Sequence, residues 1–564
     1  MVAELEKSWE PPREGAPHQE AVDTDDNNVD LNDVPPLVDA SDDEDDEGEG
    51  APYQEIDDED ESHAQHKHNI DRFIIGDGYG VKPAVRIRYN DKHPSARAGQ
   101  PLTHQESSDD VYGATLGGGD NPWAPFNSKK DWEIARWAKL RGAGSTAFSE
   151  LLAVDGVRDT LNLSYKNSEE LNRIIDTKLP GWPQFTRREV MQSGEVVEFY
   201  MRDIVECLRA LWGDPDFDGD LILEPEQLYA DEDMTIRIYH EMNTGKWWWD
   251  TQNITIVPII ISSDKTQLTQ FRGKQAYPVY LTIGNIPKHI RQKPSQQGQV
   301  LLAYLPTSKL GHITNKASHR RCISNLFHHC MQTIIKPLER AGRDGIILIS
   351  GDGAARRCFP ILAAYVGDYP EQVLVTLVKT GTCPICPAPR DEIGDWESIL
   401  EPRDAQKITE ALNAVDKGAT EFMKACANAV QCVFWKNLPY VNIYRSITPD
   451  ILHQLFLLAL VADVRLPDGH SNARLVRTVR AVLDFIYLAR YPIHTSETLA
   501  QMNDALHAFH INRDILISLG IRTHFNIPKL HNSGHYYELI QLYGAADNFN
   551  TEFTERLEGY LPLI

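Results

Sequence analysis

The stretch ITIVPIIISSD, residues 254–264, predicts the central strand of the fold. It is apolar and rich in β-branched residues, and it stops at Asp264, which indicates a β-strand with a polar residue at its end. Two more stretches of this kind follow, AYPVYLTIGNI (276–286) and QVLLAYLP (299–306). Three strands so close together in sequence favour a meander.

A helical pattern and two further strand candidates come next. We expect a helix from about Ser318 to Ala341, then a strand, GIILIS (345–350), that ends just before Asp352 in Gly-Asp-Gly. EQVLVTLVKT (371–380) is a fifth strand candidate. The order βββαβ, with one acidic residue at the end of the first strand and another just past the fourth, is typical of an RNase H-like core.

The chain of 564 residues is long enough for two to four domains and is predicted to be an α/β protein. Five segments are expected. They are a disordered acidic tail (1–120), a helical N-terminal region (121–250), the RNase H-like core with a mixed sheet (251–382), a CxxC motif with a mostly helical insertion that interrupts the core (383–524), and a C-terminal helix that carries a histidine pair and a glutamate (525–564).

Acidic residues are concentrated near the start of the chain. The formal net charge is −26, but residues 20–61 hold twenty Asp or Glu and no Lys or Arg, which leaves 62 acidic and 56 basic residues elsewhere. The net charge therefore does not exclude a nucleic-acid partner. Eight scattered cysteines favour a reducing compartment. No apolar run approaches the roughly 20 residues of a membrane span.

Asp264 and Asp352 are candidate ligands of magnesium. Metal-assisted phosphodiester cleavage uses two divalent cations, and carboxylate oxygens are ligands that Mg²⁺ and Mn²⁺ prefer. Strand ends in an open α/β sheet are places where such groups converge. The alternative is that each aspartate caps a turn, because Ser-Ser-Asp-Lys and Gly-Asp-Gly are favourable turn sequences.

Cys383 and Cys386 have the spacing of a zinc knuckle. One cysteine pair does not complete a tetrahedral site, but His531 and His535, at i and i+4, could supply two more ligands from one face of a helix. The alternatives are buried small side chains, a redox-active cysteine pair or surface histidines. The redox pair fits least, because the motif does not open a helix after the first strand of a βαβ unit.

Two further groups of residues are candidates for function. Asp450 and His453 form an Asp-x-x-His pair in TPDILHQL, where Asp450 could equally cap a helix. Basic residues that flank the predicted strand ends could contact DNA phosphates, although scattered cations are more often solvated surface. They are Lys288, Arg291, Lys316, Arg320, Arg321, Arg356 and Arg357.

Several motifs together carry a family resemblance. They include PIIISSDKTQLTQF, AYPVYLTIGNIPKHIR, SGDGAARRCFPILAAYVGDYPEQ, TGTCPICPAP, TPDILHQL and DNFNTEFTERL. In these motifs the chain resembles the Plavaka transposases of fungal DNA transposons, in the CACTA-Mirage-Chapaev superfamily. The resemblance implies an RNase H-like core with two aspartates and a glutamate (a DDE triad) at the active site, interrupted by a largely helical insertion.

The resemblance also implies roles for individual residues. Asp264 and Asp352 fall on the aspartate positions, Glu555 on the glutamate position with Glu552 as the alternative, and Asp450 and His453 on the Asp-x-x-His element of the superfamily. The V(D)J recombinase, a distant relative, has a zinc site built from a CxxC pair and a downstream histidine pair. This similarity implies zinc at Cys383, Cys386, His531 and His535.

The function implied by the resemblance is metal-dependent DNA cleavage and strand transfer at transposon ends, in the nucleus, with two Mg²⁺ or Mn²⁺ ions and a structural Zn²⁺. The implied partners are transposon terminal repeats, target DNA and further copies of the chain, with no membrane and no small-molecule substrate. The insertion looks abridged and the chain departs from the family pattern after TERL, so we expect a partly degenerate copy. The alternative is a catalytically inactive DNA-binding or structural relic of such a transposase.

Overall fold

The computed structural model describes residues 67–75, 84–94, 98–107, 121–140, 144–179, 181–252, 254–267, 275–414, 433–449 and 473–551, with single positions at 111, 113, 114, 142, 430 and 554. Most of the predicted acidic tail lies outside the described residues. The described part of 1–120 contains three strands, so the expectation that no fold exists there is wrong for those residues.

Strands and helices both contribute to the described residues, which form a mixed α/β structure. The strands are β1 (Lys67–Ile75), β2 (Ala84–Lys92), β3 (Thr103–His104), β4 (Thr186–Gln192), β5 (Glu195–Met201), β6 (Glu226–Tyr229), β7 (Arg237–Tyr239), β8 (Thr255–Ser263), β9 (Thr266–Gln267), β10 (Gln275–Ala276), β11 (Pro278–Ile283), β12 (Val300–Tyr304), β13 (Ile346–Ile349), β14 (Ala354–Val366), β15 (Ile447–Thr448) and β16 (His494–Thr495).

The described α-helices are α1 (Lys129–Leu140), α2 (Ser145–Ala153), α3 (Val157–Leu161), α4 (Ser168–Lys178), α5 (Ile204–Trp212), α6 (Lys246–Thr251), α7 (Lys288–Arg291), α8 (Lys316–Ile335), α9 (Pro337–Asp344), α10 (Tyr369–Thr376), α11 (Ala405–Ala414), α12 (Ile443–Ser446), α13 (Ala473–Ala489), α14 (Ser496–Asn512), α15 (Asp514–Ser518), α16 (Pro528–Asn532) and α17 (Tyr536–Tyr543). Among these described helices, none combines the length and the apolar character that crossing a bilayer demands.

One mixed sheet of nine strands organises the fold. Its order is β13-β14-β8-β11-β12-β5-β4, and β15 and β3 also pair with β14. A second sheet has the order β1-β2-β6-β7-β16, and β9 and β10 form a two-stranded ribbon. The large sheet contributes many of the residues in the main hydrophobic core.

β8 lies inside this sheet, and all nine of its residues are buried. It pairs antiparallel with β11, which pairs antiparallel with β12. The predicted three-stranded meander is therefore confirmed. On its other side β8 pairs in parallel with β14, where Thr255 is opposite Cys358 and Ser262 is opposite Val366. A continuous apolar run suits a strand that is covered on both faces.

The helix predicted over 318–341 is present as two helices. α8 ends at Ile335, and α9 begins at Pro337. Proline is favourable at the first position of a helix, where its missing N–H costs no hydrogen bond, but it is unfavourable in a helix interior. The predicted strand 345–350 corresponds to β13.

Around the second half of the core, one prediction is wrong and one strand was missed. EQVLVTLVKT does not form a strand, because Asp368 and Pro370 start a helix there: the Asp368 side chain accepts the Glu371 N–H at 2.9 Å, and α10 continues to Thr376. The long strand β14, between β13 and α10, was not predicted. β14, and not β13, is the strand that pairs in parallel with β8.

The region 121–250 is only partly helical. Helices α1 to α4 surround a separate small core that includes Phe148, Tyr165 and Leu171. The chain then forms the β4–β5 hairpin, which joins the large sheet, and the β6–β7 pair, which joins the second sheet. The expectation of a helical region up to residue 250 is therefore corrected for these four strands.

The described parts of the predicted insertion contain several helices and the two short strands β15 and β16. α13 and α14 pack against each other and add Phe485 and Phe509 to the main core. α16 and a 3-10 turn over Ser533–His535 follow, and they carry the histidine pair. The C-terminal segment therefore returns to the core that contains the large sheet.

Candidate metal centre and carboxylate edge

Two aspartates follow the ends of the parallel pair β8 and β14. Asp264 comes two residues after Ser262, and Asp368 comes two residues after Val366, which is the register partner of Ser262. Neighbouring strands are about 4.8 Å apart, so two chains that leave a parallel pair in register carry their next side chains close together. We call this place, defined by Asp264 and Asp368, the carboxylate edge.

A buried glutamate lies next to the carboxylate edge. The Tyr277 hydroxyl donates to Oε2 of Glu371 at 2.6 Å, and the Ser263 hydroxyl donates to Oε1. Burial and, to a smaller extent, the nearby charges of Asp368 and Asp264 raise the pKa of Glu371 to about 8, against the lowering effect of the two hydrogen bonds. Glu371 is therefore protonated at neutral pH. Both aspartates raise the pKa of Glu371, which agrees with their position at the same edge of the sheet.

The structure does not bring Asp352 to this edge. Asp352 lies in the turn between β13 and β14, at the amino end of β14, whereas Asp264 follows the carboxyl end of β8. At a rise of about 3.3 Å per residue, a strand as long as β14 spans roughly 40 Å. The ions of a two-metal site are only about 4 Å apart. The prediction that Asp264 and Asp352 hold the same ions is therefore corrected.

The local contacts of Asp352 are those of a turn residue. Its Oδ1 accepts the Ser350 hydroxyl at 2.6 Å and the Ala354 N–H at 2.9 Å. Partial burial acts to raise the pKa of Asp352, but these hydrogen bonds outweigh it and lower the pKa. Turn capping, the alternative recognised from the sequence, accounts for this residue.

Sequence reasoning missed Asp368, although a signal was present. ILAAYV (361–366) is an apolar run that stops two residues before an acidic side chain, and the apolar run in IIISSD (259–264) likewise stops three residues before one. The Asp368 side chain also caps α10. An aspartate that both ends a strand and starts a helix is held in place by its backbone on both sides.

The remaining predicted acidic residues lie outside the described residues. These are Glu552, Glu555 and Asp450, together with His453. Thr554 and Thr448, which are described and close to them in the chain, lie beside the last residues of β8 and β14. Thr554 is buried and lines a small cavity together with Ser262 and Val366. Thr448, in β15, pairs in parallel with Val366.

Four potential metal ligands come together at the second site. Cys383, Cys386, His531 and His535 are all buried, and their ligand atoms lie within 4.8 Å of one another. Sγ of Cys386 is 3.1 Å from Nε2 of His531, and Sγ of Cys383 is 3.4 Å from Nε2 of His535. The sequence prediction that these two pairs meet is confirmed. We call this cluster the Cys/His centre.

The surroundings of the Cys/His centre orient its ligands. The Nδ1 atom of His531 lies 3.0 Å from the carbonyl oxygen of Ile393, so an N–H at Nδ1 leaves Nε2 free to bind a metal. The main-chain N–H groups of Ile385 and Cys386 both donate to Sγ of Cys383 at 3.3 Å. Hydrogen bonds from Cys383 and then from His531 and His535 lower the pKa of Cys386.

This donor set matches the requirements of zinc. Two sulfur and two imidazole ligands make a closed tetrahedral Cys₂His₂ site, and imidazoles held by a second hydrogen bond are typical of zinc proteins. Surface histidines are excluded as an explanation, because His531 and His535 are 3% and 2% exposed. The cluster can therefore hold a metal ion such as zinc.

Two of the predicted DNA contacts are buried instead. Nζ of Lys288 lies 2.9 Å from Oδ1 of Asp547, and Nη2 of Arg291 donates to Oδ1 of Asn548 at 2.8 Å. The two basic residues are 5% and 4% exposed. They fasten the C-terminal segment to the core and do not present their charges to a polyanion, so their predicted role in DNA binding is corrected.

The other predicted contacts are at least partly accessible. Lys316, Arg320 and Arg321 are exposed at the start of α8. Arg357 is exposed and donates to the Asp344 carbonyl, whereas Arg356 is half-buried and donates to the carbonyl of Gly99. Arg356 and Arg357 belong to the first part of β14, away from the carboxylate edge.

The carboxylate edge and both cysteines of the Cys/His centre lie in a segment that matches a known family. A family model described as Plavaka transposase matches residues 165–460, which is more than half of the chain. No curated protein matches the chain. On the strength of this match, the chain belongs to the Plavaka transposase family.

Proposed function

We propose that this protein is a transposon-derived transposase that cleaves DNA phosphodiester bonds and transfers DNA strands at transposon ends. The observation that carries the proposal is the common position of Asp264 and Asp368 after the paired ends of β8 and β14. Two carboxylates in this relation, within a transposase family, are suited to hold the divalent ions of such an enzyme.

The strand order supports an RNase H-like core. The series β14-β8-β11-β12, with β8, β11 and β12 antiparallel and β14 parallel to β8, is the arrangement expected for that fold. β14 then takes the place of the fourth strand, and α8, α9 and β13 lie between β12 and β14 in the chain. Asp368, after β14, replaces Asp352 as the second aspartate of the proposed triad.

The third carboxylate is proposed to be Glu555, with Glu552 as the alternative. Support comes from Thr554, which lines a cavity with the register partners Ser262 and Val366. By the same reasoning Asp450 and His453 are proposed to act near this edge, because the chain reaches them shortly after Thr448, beside Val366.

The chemistry of the carboxylate edge fits Mg²⁺ or Mn²⁺. Both aspartates offer oxygen atoms, the donors that these hard cations prefer. When bound, two such ions would supply activation of the attacking oxygen and stabilisation of the leaving oxygen. The neighbouring Glu371 is protonated at neutral pH, so it adds no third negative charge to Asp264 and Asp368.

The start of α8 is proposed to contact the DNA backbone. β12 runs in the same direction as β8, so the chain leaves β12 at the same edge before α8 begins. Lys309, in this connection, is close enough to Lys265 to lower the pKa of Lys265, after the larger effect of partial burial. With the exposed Lys316, Arg320 and Arg321, these side chains form a basic surface suited to phosphates. Arg357 stays a predicted phosphate contact.

Zinc at the Cys/His centre is proposed to be structural. It would join the loop after α10 to the C-terminal segment that leads to Glu552 and Glu555. Action in the nucleus, and assembly of more than one copy to bridge two transposon ends, are proposed from the family.

DNA cleavage tests this proposal. The zinc-loaded full chain, given Mn²⁺ and DNA that contains the element's ends, is expected to nick that DNA, and the Asp264→Asn variant is expected to lose the activity. Equal nicking by the variant would overturn the assignment of Asp264. Tight, salt-sensitive DNA binding without any metal-stimulated cleavage would favour the inactive relic.

A further inference from the structure

A series of buried amides connects the Cys/His centre to the carboxylate edge. Sγ of Cys383 lies 3.4 Å from Oδ1 of Asn532, and Nδ2 of Asn532 donates to Oε1 of Gln372 at 3.3 Å. Nε2 of Gln372 donates to the carbonyl oxygens of Gly367 at 2.8 Å and Thr448 at 2.9 Å. Asn532 and Gln372 are 0% and 1% exposed, so bulk water does not compete for these contacts.

We call Asn532 and Gln372 together the amide bridge. Each end of the amide bridge lies next to a functional group. Asn532 lies between the two histidines of the Cys/His centre, His531 and His535, in the chain. At the other end, Gly367 immediately precedes Asp368. The bridge therefore joins the segment that carries the metal ligands to the strand end that carries the second proposed carboxylate.

The orientation of both amides is determined by their partners. Two main-chain carbonyls face the Gln372 nitrogen, and a carbonyl can only accept. Oε1 of Gln372 must then face Asn532, so the Asn532 nitrogen points to Gln372 and its oxygen points to Cys383. In the metal-free protein, where the Cys383 S–H donates to Oδ1 of Asn532, this rotation satisfies all of these buried groups.

We propose that Asn532 and Gln372 are positioning residues through which metal binding at the Cys/His centre fixes the end of β14 at Asp368. The metal holds both histidines at one point, and this places Asn532, which lies between them in the chain, against Gln372. The Cys383 S–H that donates to Asn532 in the metal-free protein is lost when the thiolate binds the metal, so the chain and not this contact carries the coupling. Without the metal these ligands are held only by weaker contacts, and the restraint on Gly367 weakens. This inference rests on the proposed function only where it treats Asp368 as a ligand of the divalent ions. The amide bridge itself is a feature of the fold.

Hydrogen exchange measured by mass spectrometry tests this coupling without any DNA. The peptide to follow covers Val366–Thr376, where the Glu371 N–H donates to the Asp368 side chain and the Gln372 N–H donates to the Asp368 carbonyl. In the full chain, removing zinc with a chelator is expected to accelerate exchange of this peptide several-fold. Peptides from α4 are expected to change less, because this helix belongs to the separate small core.

Two variants break the bridge from opposite ends. Asn532→Ala and Gln372→Met are each expected to keep stoichiometric zinc while their Val366–Thr376 peptide exchanges fast whether zinc is present or absent. Asn526→Ala is the matched control. Asn526 belongs to the same segment, but its side-chain amide bonds the Gly394 N–H and the Asp391 carbonyl and not β14. This variant should therefore keep the zinc response of the wild type.

Several results would overturn the proposal. They are a wild-type peptide that ignores zinc, a uniform acceleration along the whole chain, or bridge variants that respond to zinc like the wild type. If Asn532→Ala does not fold, Gln372→Met decides alone. The exchange measurement is independent of cleavage, so a coupled protein that fails to nick DNA would contradict the proposed function and leave this inference standing.

Discussion

Asp264 and Asp368 leave two neighbouring parallel strands at the same edge, each two residues beyond the register pair Ser262 and Val366. The adjoining Glu371 has a pKa of about 8 because of its burial and the two nearby aspartates. Charge at this edge is therefore carried by the aspartates, and a site for cations is its natural use.

Removal of one sulfur ligand tests the Cys/His centre. Cys386→Ser is expected to reduce the zinc content from about one ion per chain to near zero, because even removal of an outer-shell partner weakens metal sites by roughly 10–100-fold. The melting temperature should fall with it. Cys322→Ser is the control, since Cys322 is half-exposed and is not part of the cluster. Zinc retained in full by Cys386→Ser would refute the centre.

The basic surface at the start of α8 is tested by the salt dependence of DNA binding. Replacing Lys316 and Arg320 with alanine is expected to weaken binding to all DNA sequences. The slope of log K against log salt should become shallower by about one for each DNA phosphate that the variant no longer neutralises. An unchanged slope would remove these residues from the interface.

Lys288→Met is expected to lower the stability of the protein, in contrast to replacements in the basic surface of α8. Lys288 is buried and pairs with the partly buried Asp547; breaking a fully buried pair costs about 3–5 kcal/mol of unfolding free energy, so a loss near the lower end of that range is expected here. Denaturant titration should show this loss for Lys288→Met and almost none for Lys316→Ala, which is exposed. Equal stability of the two variants would contradict the structural role of Lys288.

A buried histidine predicts how stability depends on pH. Burial lowers the pKa of His328 to about 4, although its contact with the Leu374 carbonyl opposes the shift. Between pH 6.5 and 4 the unfolded chain takes up a proton that the folded protein does not, so unfolding free energy falls as pH falls, by about 3 kcal/mol in total. Above pH 6.5 this destabilisation is absent.

The variant His328→Gln can still donate to Leu374 but has no such titration. Denaturation at pH 7 and pH 5 is expected to show a smaller loss of stability for this variant than for the wild type. His329→Gln, at the exposed next position, should lose as much stability as the wild type. Identical pH dependence of His328→Gln and the wild type would contradict the account.

The central meander and the Cys/His centre could be predicted from sequence for physical reasons. β8 is buried throughout, so its composition alone identifies it. The Cys/His centre needs four sulfur or imidazole ligands, and the chain offers one CxxC and one histidine pair at helical spacing. In both cases the local sequence contains nearly all of the information.

β14 and Asp368 could not be found in the same way. The first half of β14 contains Arg356, Arg357 and Pro360, which interrupt an apolar pattern. The residues after Asp368 include β-branched side chains that are typical of a strand. The Asp368 side chain caps a helix instead, and these residues form α10. The edge at which Asp352 or Asp368 lies depends on the direction of pairing with β8, which is a property of the tertiary fold.

Binding of Mn²⁺ to aspartate variants tests the carboxylate edge most directly. Isothermal titration would compare the zinc-loaded wild type with Asp368→Asn and Asp352→Asn; asparagine caps helices and turns about as well as aspartate, so both variants should fold. We predict that Asp368→Asn weakens Mn²⁺ binding at least about tenfold, a cost of about 1.4 kcal/mol, while Asp352→Asn binds like the wild type. Normal binding by Asp368→Asn together with loss of binding by Asp352→Asn would contradict the account.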